Sequence, residues 1–294
     1  MIELASKEDI EKISLDLLKQ SKSLDVFPTP VDRLIDFSEL VVSNEVDLGV
    51  VEESFFSKTS QNVFDFMQKV RGFLDRREKI IYLDLAQSVN RQNFVKLHET
   101  GHGVLPWQKQ TMEFLDDDDS LDPLTNEEFE AEANYFASIT LFQQDRFDSE
   151  ISKLPLSLET VTHLSKQFGA SVHATFRRYV ERSNKRCALL VLQNITPQGD
   201  KPNCEPRNYF HSEPFRHDFG NLQWKNNLGY KWLFVQDYYY GRRFKTNGEI
   251  TLDTQNGKVE FNYHFFNNTY NAFVFFFPKG ERIKSRTKFI ISGA

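Results

Sequence analysis

The stretch Asn93–Leu105, NFVKLHETGHGVL, decides how the chain is read, because it sets His98 and His102 four residues apart with Glu99 directly after the first histidine. On an α-helix, residues at that spacing stand one above the other, with Cβ atoms about 5–6 Å apart. Both imidazoles can then face one ion, and two ring nitrogens at about 2.0–2.1 Å make half of a tetrahedral zinc shell. Glu99 is rotated by about 100° from His98, so it falls beside such an ion and not on it. A carboxylate there is placed to take a proton from a water whose acidity the metal raises. Leu97, Gly101 and Leu105 are apolar or small and, with Phe94 and Val104, mark a buried stripe. Two histidines on such a face without a metal would be poorly satisfied polar groups in a core.

A zinc site needs a third protein ligand. One HExxH class takes a histidine six residues past the second, after an intervening glycine. Here Leu105 and Gln108 hold those places, which excludes that class. The other class takes a glutamate from a following helix, often with a polar residue one turn later to hold a ligand histidine. EFEAEANYFA, residues 128–137, offers Glu130 and Asn134 at that spacing, with Ala133 and Ala137 continuing a small-residue face toward the helix that carries Gly101. Glu127 and Glu132 are rivals, but Glu132 is turned by about 200° from Glu130 and Glu130 is favoured. The competing reading puts all these glutamates on one solvated face.

Outward from this pair, Ile2–Lys22 has apolar residues near helical spacing, and FPTP at 27–30 ends it. VDRLIDFSELV, residues 31–41, predicts a second helix. From Ser54 to Asp84 the texture turns strand-like, and GFLDRREKIIYLD predicts a hairpin with a charged turn. Asn90 is the expected N-cap of the histidine helix, with Gly103 and Pro106 closing it. The acidic run Asp116–Asp119 reads as a solvated loop; it lacks the ligand alternation and turn glycine of a calcium loop. Thr125 and Glu128 stand at capping-box spacing for the glutamate-bearing helix. Two more helices, 158–168 and 172–182, flank Gly169, Ala170 and Ser171. Beyond Lys185, CALLVLQ, the NG pairs at Asn247 and Asn256, KVEFNYHF and AFVFFFP predict an antiparallel β domain. The run Phe275–Phe277 fits a buried strand better than a binding face. The expected class is α+β: a helical metallopeptidase domain with a small antiparallel sheet at 1–185, then an aromatic-rich β domain at 186–294 that serves as sensor or partner-binding module.

A net charge of −6 argues against general attraction to nucleic acid. Only Cys187 and Cys204 occur, no apolar run is long enough to span a bilayer, and the start is acidic and amphipathic, so free thiols and a cytoplasmic location are expected.

Taken in order, GFLDRREKIIYLD, RQNFVKLHETGHGVL and EFEAEANYFA resemble the ImmA/IrrE family of zinc metallo-endopeptidases over about Phe27–Glu181. The resemblance implies a zincin-like fold, zinc held by His98, His102 and Glu130, and Glu99 as catalytic base. It further implies a protein substrate, a DNA-binding repressor of helix-turn-helix type, cleaved within an exposed segment. The LLMP-like ending usual after the ligand helix reads TLFQQD here, and the aromatic C-terminal region matches nothing in the family. Tyr135, His163 and His173 are candidates for oxyanion stabilisation by residue type alone. The alternative is a transcriptional regulator or partner-binding protein that keeps zinc and cuts nothing. LSKQFGASVHATFRRYVER has the outline of a helix-turn-helix with a basic exit, a feature of DNA readers that the acidic total weighs against.

Overall fold

The computed structural model describes residues 5–48, 72–114, 122–198 and 201–281. The Asp116–Asp119 run and the strand-like stretch 54–71 lie outside them. Two compact units emerge: residues 1–147 with 165–171, and residues 148–164 with 172–294. Relative to a partition at 185/186, the second unit thus reaches back to take in most of the helix pair.

In the first unit, α1 (Lys7–Gln20) buries Ile10, Leu17 and Leu18 along one face, and its buried Ser14 hydroxyl shares a 2.8 Å hydrogen bond with Thr140. Helix α2 (Val31–Phe37) stops short of the expected end. Glu39 turns the chain with φ 57°, and Val41 opens strand β1 (Val41–Asp47). The predicted hairpin is present as β2 (Gly72–Asp75) and β3 (Ile80–Leu83), and the Asp75 carboxylate fixes its turn by accepting from the Arg77 and Glu78 amides at 3.0 and 3.1 Å. Because β1 joins β3 in parallel, the small sheet is mixed, in the order β1-β3-β2, and not purely antiparallel.

Helix α3 (Val89–Val104) carries the histidine motif. Ser88, not Asn90, is the residue before its first turn. Leu105 is extended, with ψ 112°, as the residue ahead of a proline must be. Pro106 then opens α4 (Pro106–Phe114), its missing N–H costing nothing in a first turn. Gly103 sits inside α3, where an added Cβ would lie 3.3 Å from methyls of Leu40 and Leu74. Helix α5 (Pro123–Leu141) begins earlier than the capping-box reading placed it. Asp122 accepts the amides of Leu124 and Thr125, both at 3.1 Å, and Thr125 spends its hydroxyl on the same carboxylate. Helices α6 (Asp145–Lys153), α7 (Leu158–Phe168) and α8 (Val172–Arg182) follow.

The second unit is built on a six-stranded sheet in the order β6-β5-β4-β9-β8-β7: β4 (Ala188–Gln198), β5 (Lys201–His211), β6 (Leu228–Gly229), β7 (Phe244–Thr254), β8 (Gly257–Asn267) and β9 (Ala272–Pro278). Every neighbouring pair is antiparallel. The AFVFFFP strand is central and buried throughout, because both of its faces are covered. Phe273 and Phe275 meet Phe176 of α8, each at 5.6 Å between centroids, whereas Phe276 meets Phe215, Trp224 and Phe261 on the opposite face. Phe215 belongs to α9 (Glu213–Phe219), and α10 (Leu233–Tyr239) adds Phe234 and Val235 to that side. Each such ring removed from water contributes about 1.5–3 kcal/mol, so this sheet with its two helical covers can sustain a core of its own. Of the two NG pairs, Asn256-Gly257 makes the β7–β8 turn, with Gly257 at φ 89°. Asn247-Gly248 lies within β7 at a register shift, where a Cβ on Gly248 would stand 2.2 Å from the Tyr263 ring.

Candidate metal centre

Helices α3 and α5 touch where their side chains are smallest. A Cβ on Gly101 would come within 3.3 Å of the Ala133 Cα and 3.1 Å of the Phe136 ring. This approach brings the α5 carboxylate to the α3 histidines. The Nε2 atoms of His98 and His102 lie 3.1 Å apart, and the Glu130 oxygens stand 3.1 Å from the first and 3.2 Å from the second. Donors held tetrahedrally at about 2.0–2.1 Å from one ion are about 3.3 Å from each other, and the histidine pair and the two contacts to Glu130, one from each carboxylate oxygen, all lie near that spacing. Two imidazoles and a carboxylate suit zinc and similar borderline ions. The residues present therefore fit a metal as a three-ligand group.

Electrostatics agree with the geometry. Burial would raise the Glu130 carboxyl, but hydrogen bonds with His102 and His98, together with their charge, hold it at about 2. Burial pulls the His102 ring down, yet the Glu130 hydrogen bond, the charges of Glu99 and Glu130 and the Gln108 carbonyl outweigh it, and the balance is upward. Ring protons held this way are what a cation would displace. Glu99 is only 4% exposed and stays outside the three-atom cluster. Burial pushes its carboxyl up, against the pull of His102 and His98. Strand β2 roofs it: a Cβ on Gly72 would be 3.2 Å from Glu99 Oε1.

Of the rival glutamates, Glu127 is exposed on α5, while Glu132 is buried and directed elsewhere. Its Oε2 accepts the Trp107 indole N–H and the Gln108 amide, each at 2.7 Å, and its Oε1 accepts the Ser6 hydroxyl. The solvated-face reading therefore holds for Glu127 and Glu128 and fails for Glu130 and Glu132. Asn134 is not the expected support for a ligand histidine, because it is exposed and its amide donates to the Glu130 carbonyl of its own helix at 2.8 Å. That support comes instead from Gln108, whose Oε1 lies 2.8 Å from His102 Nδ1. The Leu-Pro break after α3 turns α4 back beneath the histidines, and this is the one sequence signal that pointed to it.

Arg76, in the hairpin turn, was also missed. Its Nη1 is buried with no hydrogen-bond partner among the described residues, and burial lowers its pKa against the opposing charges of Glu99 and Glu130. None of the three oxyanion candidates joins the cluster: Tyr135 bonds to Glu11, His163 is exposed, and His173 packs on Phe273. Cys187 and Cys204 are buried free thiols. Among the described residues, no helix is long and apolar enough to cross a membrane.

Residues 56–179 match the family described as the IrrE N-terminal-like domain, Peptidase_M78. His98, Glu99, His102 and Glu130 all fall within that segment, and the match supports the resemblance of this segment to the ImmA/IrrE family. A search of curated proteins gives no match. Among solved structures, the chain is similar to a Mycobacterium tuberculosis transcriptional regulator, with 9% identity, a TM-score of 0.49, and coverage of 92% of this chain and 76% of that one.

Proposed function

Proceeding from an ImmA/IrrE-type domain at residues 56–179, we propose that the chain is a zinc-dependent endopeptidase of narrow specificity whose substrate is a regulatory protein, such as a helix-turn-helix repressor. The observation that carries this reading is Glu99: a buried carboxylate beside three converging ligands, belonging to none of them, with its proton affinity raised by burial. A purely structural zinc site closes its shell with four protein ligands and has no use for a free acid alongside.

His98, His102 and Glu130 would hold the ion. When bound, zinc supplies Lewis acidity to the scissile carbonyl and makes a nearby water a stronger acid. Glu99 takes one proton from the attacking water as the new C–O bond forms. It returns that proton to the amide nitrogen as the C–N bond breaks, so the step is balanced without an external acid. The raised carboxyl pKa suits both halves. In this reading Arg76 Nη1, without a hydrogen-bond partner among the described residues, is the donor for a peptide carbonyl beside Glu99.

The test is Glu99→Gln in the full chain. The variant keeps its zinc, cuts nothing, and holds the substrate long enough to be identified by capture from extract, whereas the wild type leaves a cleaved form of the same protein. Undiminished cleavage by Glu99→Gln would remove the mechanism.

A further inference from the structure

We infer that Gln108 is a positioning residue for the metal centre, which acts by locking a proton onto His102 Nδ1 under the control of the Glu132 carboxylate. The inference rests on the reading of His98, His102 and Glu130 as a zinc site and deepens it.

The argument is one of donors and acceptors. Gln108 is wholly buried and has three partners: His102 Nδ1 at 2.8 Å from its Oε1, and the Phe129 carbonyl and Glu132 Oε2 at 3.1 and 2.7 Å from its Nε2. The last two partners can only accept, so the amide NH2 must face them. Turning the amide over would set its carbonyl oxygen against a carboxylate and a peptide oxygen. The amide oxygen therefore has to face His102, and since that oxygen can only accept, Nδ1 must carry the hydrogen. The remaining nitrogen of the ring, Nε2, is the one in the three-atom cluster. Metal ligation through Nε2 then needs no change of tautomer.

Glu132 holds this arrangement in place. Besides Gln108 it receives the Trp107 indole N–H at 2.7 Å and the Ser6 hydroxyl, so its carboxylate is met on both oxygens by groups from α4 and from the residue preceding α1. The glutamate that loses the competition for the metal thus sets the amide that sets the histidine. Supports of this kind typically change metal affinity by about 10–100-fold when removed. His98 lacks a counterpart: its Nδ1 is buried with no hydrogen-bond partner among the described residues, which leaves His102 as the histidine of the pair with a side-chain support on Nδ1.

The test uses the full chain with 15N-labelled histidine, with and without zinc, in wild-type, Gln108→Met and Glu132→Gln forms. In the wild type, His102 shows an exchange-protected Nδ1–H whether or not zinc is present. Gln108→Met, close in volume but with only a weakly accepting thioether in place of the amide oxygen, loses that protection, and its zinc dissociation constant, measured by chelator competition, rises by about 10–100-fold. Glu132→Gln moves both readouts the same way by a smaller factor. A wild-type His102 with no protected Nδ1–H, or a Gln108→Met form with an unchanged ring proton and zinc affinity, overturns the inference. The wild-type spectrum decides the matter even if a variant does not fold. A wild type that shows the protected proton but binds no zinc would instead defeat the metal reading.

Discussion

Substituting Gly101 by alanine sets two effects of similar size against each other. Alanine in a helix interior is favoured over glycine by about 1 kcal/mol. The new Cβ would meet Phe136 Cδ1 at 3.1 Å, Ala133 Cα at 3.3 Å and Phe136 Cγ at 3.4 Å. Attractive carbon contacts begin at about 3.5 Å, so the neighbours must yield by a few tenths of an ångström. The Phe136 ring can tilt, but Ala133 Cα is backbone and retreats only if α5 retreats. Overpacking of this kind costs about 1–3 kcal/mol. The net loss of stability is therefore about 0–2 kcal/mol, and the variant folds. Glu130 rides on the same helix nearly one turn before Ala133, and metal sites tolerate only about ±0.2 Å in ligand distance. Zinc affinity should fall by about tenfold, equivalent to about 1.4 kcal/mol. Chelator competition gives the affinity, and urea denaturation in the presence of a strong chelator gives the stability. A Gly101→Ala protein that folds and binds zinc as tightly as the wild type would refute the claim that this helix contact sets the ligand geometry.

Two further predictions concern the second unit. Asp237, 6% exposed, takes Arg242 at 2.8 Å, Lys245 at 2.9 Å and the Tyr263 hydroxyl at 2.8 Å. Asp237→Ala leaves Lys245 with only the Tyr263 oxygen and should cost about 3 kcal/mol by urea denaturation, whereas a loss below about 1 kcal/mol would show that the cluster is well hydrated. Burial pushes the thiols of Cys187 and Cys204 up to about 12. Neither should react with a thiol reagent at neutral pH before the protein unfolds. Because the folded state holds these protons more tightly than the unfolded chain, their contribution to stability is complete below about pH 9 and is lost as pH rises toward 12. Rapid modification of native protein at neutral pH would contradict their burial.

Local signals carried much of this structure. The spacing of His98, Glu99 and His102 and the small faces of Gly101, Ala133 and Ala137 pointed to the helix contact, and α5 brings Glu130, not Glu132, to the two histidines. The strands CALLVLQ, KVEFNYHF and AFVFFFP read correctly because their apolar patterns are long. What escaped were features set by distant partners. Strand β1 exists through its pairing with β3, while its own sequence, VVSNEVD, is half polar. Gln108 and Glu132 are ordinary polar residues until a proline break folds α4 under His102. Asn134 has the right spacing but faces solvent. In the sequence Arg76 is one charge of a charged turn, and only the packing of the hairpin beside Glu99 shows its burial.

The central claim is a single catalytic zinc gripped by His98, His102 and Glu130, and metal analysis of the full chain purified without chelators tests it most directly. The wild type should carry one zinc per chain, recovered on adding zinc after chelator treatment, and Glu130→Ala should carry little. A wild type that stays empty in the presence of zinc, or a Glu130→Ala protein with full occupancy, would contradict it.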